Sequence, residues 1–265
     1  MSTIIRSESQ YIGVSTKMYL GYARSLAWLE GIREQLLAHD APGTATSDVV
    51  AFVAPSFPVL ESAARILRGT GCQLAAQNCA ASEGAITGEV SAGMLAELGV
   101  QIVELGHAER RADFGEDDHV VAAKVRAAAA AGLRPLLCIG ELEHGDAPSA
   151  ARQCLQQIAA ALGSGTQEAV DPASVLFAYE PVWAIGAAQP ASAEHINAVL
   201  GIIRKELTRG EKPVAMIYGG SAGPGLLPRL PEADGLFLGR FAHDPANFGL
   251  VLDEARARQI QLETP

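Results

Sequence analysis

The sequence predicts an α/β fold, a single (β/α)8 barrel spanning residues 1–265. Eight short apolar runs recur along the chain, each bounded by Gly, Pro or polar residues. Segments with helical periodicity lie between them, and strict βα alternation requires a parallel sheet with right-handed crossovers. No linker or composition break divides the chain, and a length of 265 residues suits one such barrel. The open doubly wound alternative lacks a GxGxxG turn after its first strand.

The expected strands are 11–16, 49–54, 72–77, 102–106, 135–140, 175–179, 214–218 and 235–239. Their near-continuous apolarity suits burial on both faces. Between the first two, Leu26, Leu29, Ile32 and Leu36 form one apolar stripe of a helix over 21–39. An alanine-rich segment predicts a helix over 116–131, ended by Gly132. Ser192 caps an amphipathic helix over 192–209, with Ile196, Val199, Leu200 and Ile203 on one face. Weaker helical patterns fill 57–69, 91–98, 149–162, 223–230 and 245–259, which brings the expected helices to eight.

Composition narrows the function. The net charge of −10 argues against a nucleic-acid binder. No apolar run approaches the roughly 18–20 residues of a membrane span. The start, MSTIIRSESQ, lacks the apolar core of a secretory signal, so a cytoplasmic setting is expected. Four cysteines without a CxxC pair read as buried thiols, with neither zinc nor a disulfide framework.

In such barrels chemistry sits at the C-terminal ends of the strands. Lys17 follows the first run and would place a fixed positive charge over the barrel mouth. His107, Glu109, Arg110 and Arg111 follow the fourth, a cluster that suits an ion-paired network holding the histidine in place. Glu180 ends the sixth run between Tyr179 and Pro181, the apolar company that suits a general base. The segment after it, WAIGAAQPAS, has the make-up of a hinged lid. Glycines in YGGSAG (218–223) and LGRF (238–241) let backbone N–H groups approach an anion, at the usual phosphate position of these barrels. Together these residues propose proton abstraction beside a carbonyl in a phosphorylated substrate, with no metal or cofactor motif required.

AYEPVWAIG (178–186), VELGHAERR (103–111), AAQN (75–78), TGEVS (87–91), LCIGE (137–141) and YGGS (218–221) together resemble triosephosphate isomerases, in that family's order and over nearly the whole chain. The resemblance implies a TIM barrel that isomerises a small sugar phosphate without a cofactor. It makes Lys17 the electrostatic lysine, His107 the neutral electrophile, Glu180 the proton-shuttling base and Glu109 a supporting acid. Gly186, Ser221 and Gly239 become phosphate ligands. Pro181, Val182 and Trp183 become the lid hinge, with Glu141 as the tryptophan's partner, and Thr87 sits in a loop that reaches a second subunit of a homodimer.

Four positions depart from the family pattern. Ser15 stands where the family has asparagine, Ala108 replaces a serine, Ala188 replaces a lid glycine and Arg240 replaces the second glycine of the last phosphate loop. Gly239–Arg240 and Pro190-Ala191-Ser192 resemble a branch of the family that acts on erythrulose phosphates. Two substrates therefore stay open, a triose phosphate and a tetrulose phosphate, with the four changes leaning toward tetrulose. A non-catalytic sugar-phosphate-binding barrel is the reading from another class.

Overall fold

The computed structural model of the chain describes residues 7, 9–39, 49–163, 165, 168–208 and 212–263. Eight strands close into a barrel in chain order: β1 Gln10–Ser15, β2 Val49–Ala54, β3 Gln73–Ala76, β4 Ile102–Leu105, β5 Arg134–Ile139, β6 Leu176–Tyr179, β7 Ala215–Gly219 and β8 Gly235–Leu238. Every neighbouring pair is parallel, and closure is made by β1 against β8, with Tyr11 opposite Gly235 and Val14 opposite Leu238.

The helices are α1 Tyr22–His39, α2 Leu60–Ile66, α3 Ala92–Glu97, α4 Ala108–Phe114, α5 Asp118–Ala130, α6 Ala147–Leu162, α7 Ala193–Leu207 and α8 Pro245–Glu263. On α7 the expected stripe of Ile196, Val199, Leu200 and Ile203 is fully buried, and Ser192 Oγ accepts the His195 N–H at 3.2 Å. Each of those four side chains is worth about 1.5–3 kcal/mol of apolar burial. On α1 the stripe is rotated slightly. Trp28 joins Leu29, Ile32 and Leu36 in the core while Leu26 is only partly covered, and the Trp28 indole donates to the Ala242 carbonyl at 2.8 Å.

Two expectations need correction. The helix expected over 223–230 is only a 3-10 turn, Leu227–Arg229, because Pro224, Gly225 and Pro228 interrupt any α-helical ladder there. Between β4 and β5, in contrast, two α-helices stand where one was expected. Gly115 stops α4 in a left-handed conformation (φ 65°), and Asp117 starts α5 by accepting the Val120 N–H at 2.9 Å.

The core has two shells. A larger one packs helices on the outside of the strands, and a smaller one fills the barrel lumen with Tyr11, Phe52, Ile102, Leu136, Leu176 and Phe237 among others. Phe52 and Phe237 stack at 5.7 Å in the lumen. Gly13 makes room for them, since a Cβ there would fall 1.9 Å from Phe52 Cζ. Side chains alternate between lumen and helices along each strand. The parity that points Tyr11, Ile102, Leu136 and Leu176 inward also points Ser15, Glu104, Cys138 and Glu180 into the lumen, nearer its C-terminal end. Among the described residues no helix is long and apolar enough to cross a membrane.

Candidate active site

At the C-terminal end of the barrel a cavity of about 690 Å³ opens, and it gathers most of the residues the sequence singled out. Lys17 enters it from the end of β1 with φ 46°, a left-handed backbone that a non-glycine residue adopts only when its surroundings enforce it. Here the enforcement is visible. Ser56 Oγ and Gln77 Nε2 both donate to the Lys17 carbonyl, at 2.8 and 3.1 Å, and Gln77 also donates to the Ala54 carbonyl at 2.9 Å. The ammonium donates to Glu109 Oε1 at 2.5 Å. Burial alone would lower the lysine pKa, but the Glu109 ion pair and the nearby Glu180 and Glu104 carboxylates outweigh it and raise it.

His107 caps α4. Its Nδ1 accepts the Glu109 backbone N–H at 3.1 Å, which leaves Nε2–H to face the cavity, 3.3 Å from Glu180 Oε2. Burial opposes the imidazolium, but the Glu180 charge and hydrogen bond, with Glu104 behind them, push its pKa up to about 9.

Behind the ring, Arg111 Nε donates to the Gly106 carbonyl at 3.1 Å and its Nη1 to Asp118 at 2.7 Å. Arg110 and Lys124 both donate to Glu116 Oε1 at 2.5 Å, and Lys124 also reaches Asn78 Oδ1 at 2.9 Å. The charged cluster after β4 is thus a network that fixes the segment carrying His107.

Glu180 is held at the end of β6 by its own N–H, which donates to the Ile139 carbonyl at 2.8 Å. The residue is 6 % exposed, and its carboxylate receives the Cys138 thiol at 3.9 Å. Gly219 on β7 is required for this placement, because a Cβ there would lie 2.5 Å from Glu180 Cγ. The loop beyond it leaves β6 through Pro181, Val182 and Trp183. The buried Glu141 Oε1 accepts the Trp183 indole at 2.9 Å and the Tyr179 hydroxyl at 3.1 Å, with His195 Nε2 also 3.1 Å away, while the Val182 N–H donates to the Glu141 carbonyl at 2.9 Å. Ser221 Oγ donates to the Ala187 carbonyl at 2.6 Å, tying the loop after β7 to that after β6.

Gly186, Ser221, Gly239 and Arg240 line the end of the cavity formed by the loops after β6, β7 and β8. The Arg240 guanidinium lies 5.8 Å from the Tyr19 ring centre. Ser15 reaches the same cavity from β1. Thr87 does not; it is exposed in the loop between β3 and α3. Among the described residues no group of three or more His, Cys, Asp or Glu is arranged to hold a metal ion.

Sequence reading missed Glu104. It is 4 % exposed, lines the cavity beside His107 and Glu180, and is pushed up to about 7, chiefly by burial, with His107 opposing and Glu180 reinforcing the rise. Its signal was one carboxylate inside the apolar run IVEL, at the inward parity of Ile102. Ser56 was also missed, and the tie by which it and Gln77 of the AAQN motif hold Lys17 was not read, because ties to a carbonyl leave no mark in sequence.

The family model for triosephosphate isomerase matches residues 10–255, and the chain belongs to that family, as an isomerase with its fold. Among its relatives, an L-erythrulose-1-phosphate isomerase of Pectobacterium atrosepticum is 44 % identical over 92 % of this chain and 95 % of that protein. A triosephosphate isomerase of Gluconacetobacter diazotrophicus is 43 % identical over 70 % of this chain and 76 % of its own length. The crystal structure of triosephosphate isomerase from Bartonella henselae superposes with a TM-score of 0.77 at 28 % identity, covering 94 % of this chain and 99 % of that one.

Proposed function

We propose that this protein interconverts L-erythrulose 1-phosphate and D-erythrulose 4-phosphate through an enediolate. The observation that carries the reaction type is the convergence of Glu180, His107 and Lys17 in one cavity whose other end is lined by glycine-rich loops. The chain length of the substrate rests on the name and near-complete coverage of the Pectobacterium relative, together with the changes at Ser15 and Arg240.

In this reading the phosphate binds backbone N–H groups at Gly186, Ser221 and Gly239, with Arg240 beside them. Glu180 removes the proton from C3 of L-erythrulose 1-phosphate, and the electron pair of that C–H bond forms the enediolate C2–C3 double bond. His107 donates its Nε2 proton to the carbonyl oxygen while Lys17 balances the developing charge. Glu180 then returns its proton to C2, and His107 recovers one from the C3 hydroxyl, which becomes the new carbonyl. The Glu109 N–H bond to Nδ1 keeps the single ring proton on Nε2, so His107 gives up that one proton and recovers one in each turnover. Glu109 holds Lys17 in place, and the turn of Pro181, Val182 and Trp183, braced on Glu141, serves as the lid hinge.

Assayed side by side, L-erythrulose 1-phosphate is expected to show kcat/KM at least about tenfold above dihydroxyacetone phosphate. A strong triose preference rejects the substrate and leaves the family chemistry. Failure of both compounds to exchange a carbon-bound proton with solvent deuterium favours a non-catalytic binding barrel.

We place this reaction in the cytoplasm, in tetritol catabolism, and assign the working form as a homodimer. Thr87 and the neighbouring exposed Ile86 supply the loop that a second copy would cover. Sedimentation equilibrium should return twice the chain mass of 27.6 kDa, and a monomer at assay concentration overturns the dimer.

A further inference from the structure

The lumen carries a second carboxylate for which the proton transfers have no use. Glu104 projects from the interior of β4, below the strand ends, and still borders the cavity. Its Oε2 is buried without a hydrogen-bond partner, and so is Ser15 Oγ on β1. The hydroxyl lies close enough to favour the Glu104 anion, yet no hydrogen bond of full geometry joins the two. An unmatched buried polar atom of this kind is costly, and two of them facing one cavity fit a ligand group that satisfies both.

The position defines that group. The phosphate loops belong to β6, β7 and β8, whereas Glu104 stands on β4, four strands around from β8. His107 comes three residues after it and its charge acts directly on Glu104, as does that of Glu180. A ligand anchored by its phosphate and reacting between Glu180 and His107 therefore turns its unphosphorylated end toward Glu104, and Ser15, although its strand β1 adjoins β8, meets that end because its hydroxyl lies against Glu104. Burial pushes the carboxyl group up to about 7, so near neutral pH it can accept or, when protonated, donate, and the Ser15 hydroxyl can do both. A hydroxyl matches that pair. An aldehyde hydrogen or a methyl group leaves it unsatisfied.

We propose that Glu104 and Ser15 form a specificity subsite that binds the terminal hydroxyl of the ketose phosphate, at the carbon beyond the two that exchange protons. The proposal rests on the four-carbon reading of the substrate. Glu104 is placed here as a binding residue, and Glu180 keeps the carbon-bound proton.

The test compares L-erythrulose 1-phosphate with its 4-deoxy analogue, 3-hydroxy-2-oxobutyl phosphate, on the wild-type protein, Glu104→Gln and Glu104→Leu. The wild type should prefer the hydroxylated compound by about 10²-fold in kcat/KM, the upper range expected when the analogue leaves one buried polar group unpaired. Glu104→Leu should reduce that preference below about tenfold, while Glu104→Gln, which still bonds a hydroxyl, should retain most of it. The readout is a ratio, so a general loss of activity in a variant does not imitate the result. If the wild type turns over the four-carbon ketose but does not distinguish it from the deoxy compound, the subsite is overturned and the substrate reading stands. A preference unchanged in Glu104→Leu has the same consequence. If the wild type does not act on L-erythrulose 1-phosphate at all, the substrate reading falls and takes the subsite with it.

Discussion

Glu180→Asp is expected to lower kcat for the isomerisation by roughly 10²–10³-fold while leaving the far-ultraviolet circular dichroism spectrum unchanged. The substitution keeps a carboxylate but shortens its reach by one methylene, and displacement of a reacting group by about 1 Å can cost 10²-fold. Nothing nearby is free to compensate. The backbone of Glu180 is pinned to the Ile139 carbonyl, Gly219 and the Cys138 thiol shape its side-chain slot, and His107 fixes the opposite wall. Glu180→Gln removes the proposed base entirely and should lose about 10⁴-fold, the upper range for general-base catalysis. Proton exchange into deuterated solvent at the substrate carbon should fall in step with kcat. An unchanged rate in Glu180→Asp would remove Glu180 from the mechanism.

What the sequence disclosed, and what it hid, divides along a physical line. The strands were legible because burial on both faces leaves a run such as VVAFVA almost free of polar residues. Lys17, His107 and Glu180 were legible because charged residues immediately after such runs must lie at one end of a parallel barrel. The helix expected over 223–230 was misjudged. Leu226, Leu227 and Leu230 are buried as a helical face would be, but two prolines and two glycines leave them only a 3-10 turn. Glu104 was hidden for a different reason. Whether an acidic residue inside a strand points to the lumen or to the helices depends on the pleat, and the inward set of β4 emerges only when Ile102 is seen among the lumen residues. The strained backbone of Lys17 could not be read at all, since its supports, Ser56 and Gln77, come from other strands and act on a carbonyl.

Arg204→Met is expected to destabilise the fold by about 3–5 kcal/mol, the cost of leaving a buried charge without its partner. Arg204 on α7 is completely buried. It donates to the Val214 and Glu232 carbonyls, both at 2.9 Å, and to Asp234 Oδ2 at 2.8 Å. Asp234 in turn stands at the barrel seam. Its Oδ2 accepts the Met216 N–H at 2.8 Å, its N–H donates to the Met216 carbonyl at 2.6 Å, and its carbonyl accepts the Tyr11 N–H at 2.8 Å. Arg204 therefore fastens α7 to the segment where β7, β8 and β1 meet, through Asp234 and through the Glu232 carboxylate 3.8 Å from its Nε. At about 2–4 °C per kcal/mol for a chain near this size, Tm should fall on the order of 10 °C in differential scanning calorimetry. The loss should also depend on pH. Burial already holds Asp234 above the ordinary carboxylate range despite Arg204, and removal of the arginine raises it further. A folded-state pKa above the unfolded one means that the folded chain binds the extra proton, so stability falls as pH rises between the two values. Arg204→Met should accordingly lose more at pH 8 than at pH 5. Replacing both Arg204 and Asp234, as Arg204→Met with Asp234→Leu, should recover part of the loss, because the buried Asp234 charge is gone, but not all of it, because the Met216 N–H then lacks its side-chain acceptor and Glu232 still loses Arg204. A Tm within about 2 °C of wild type in the single variant would show that the seam closes without this pair.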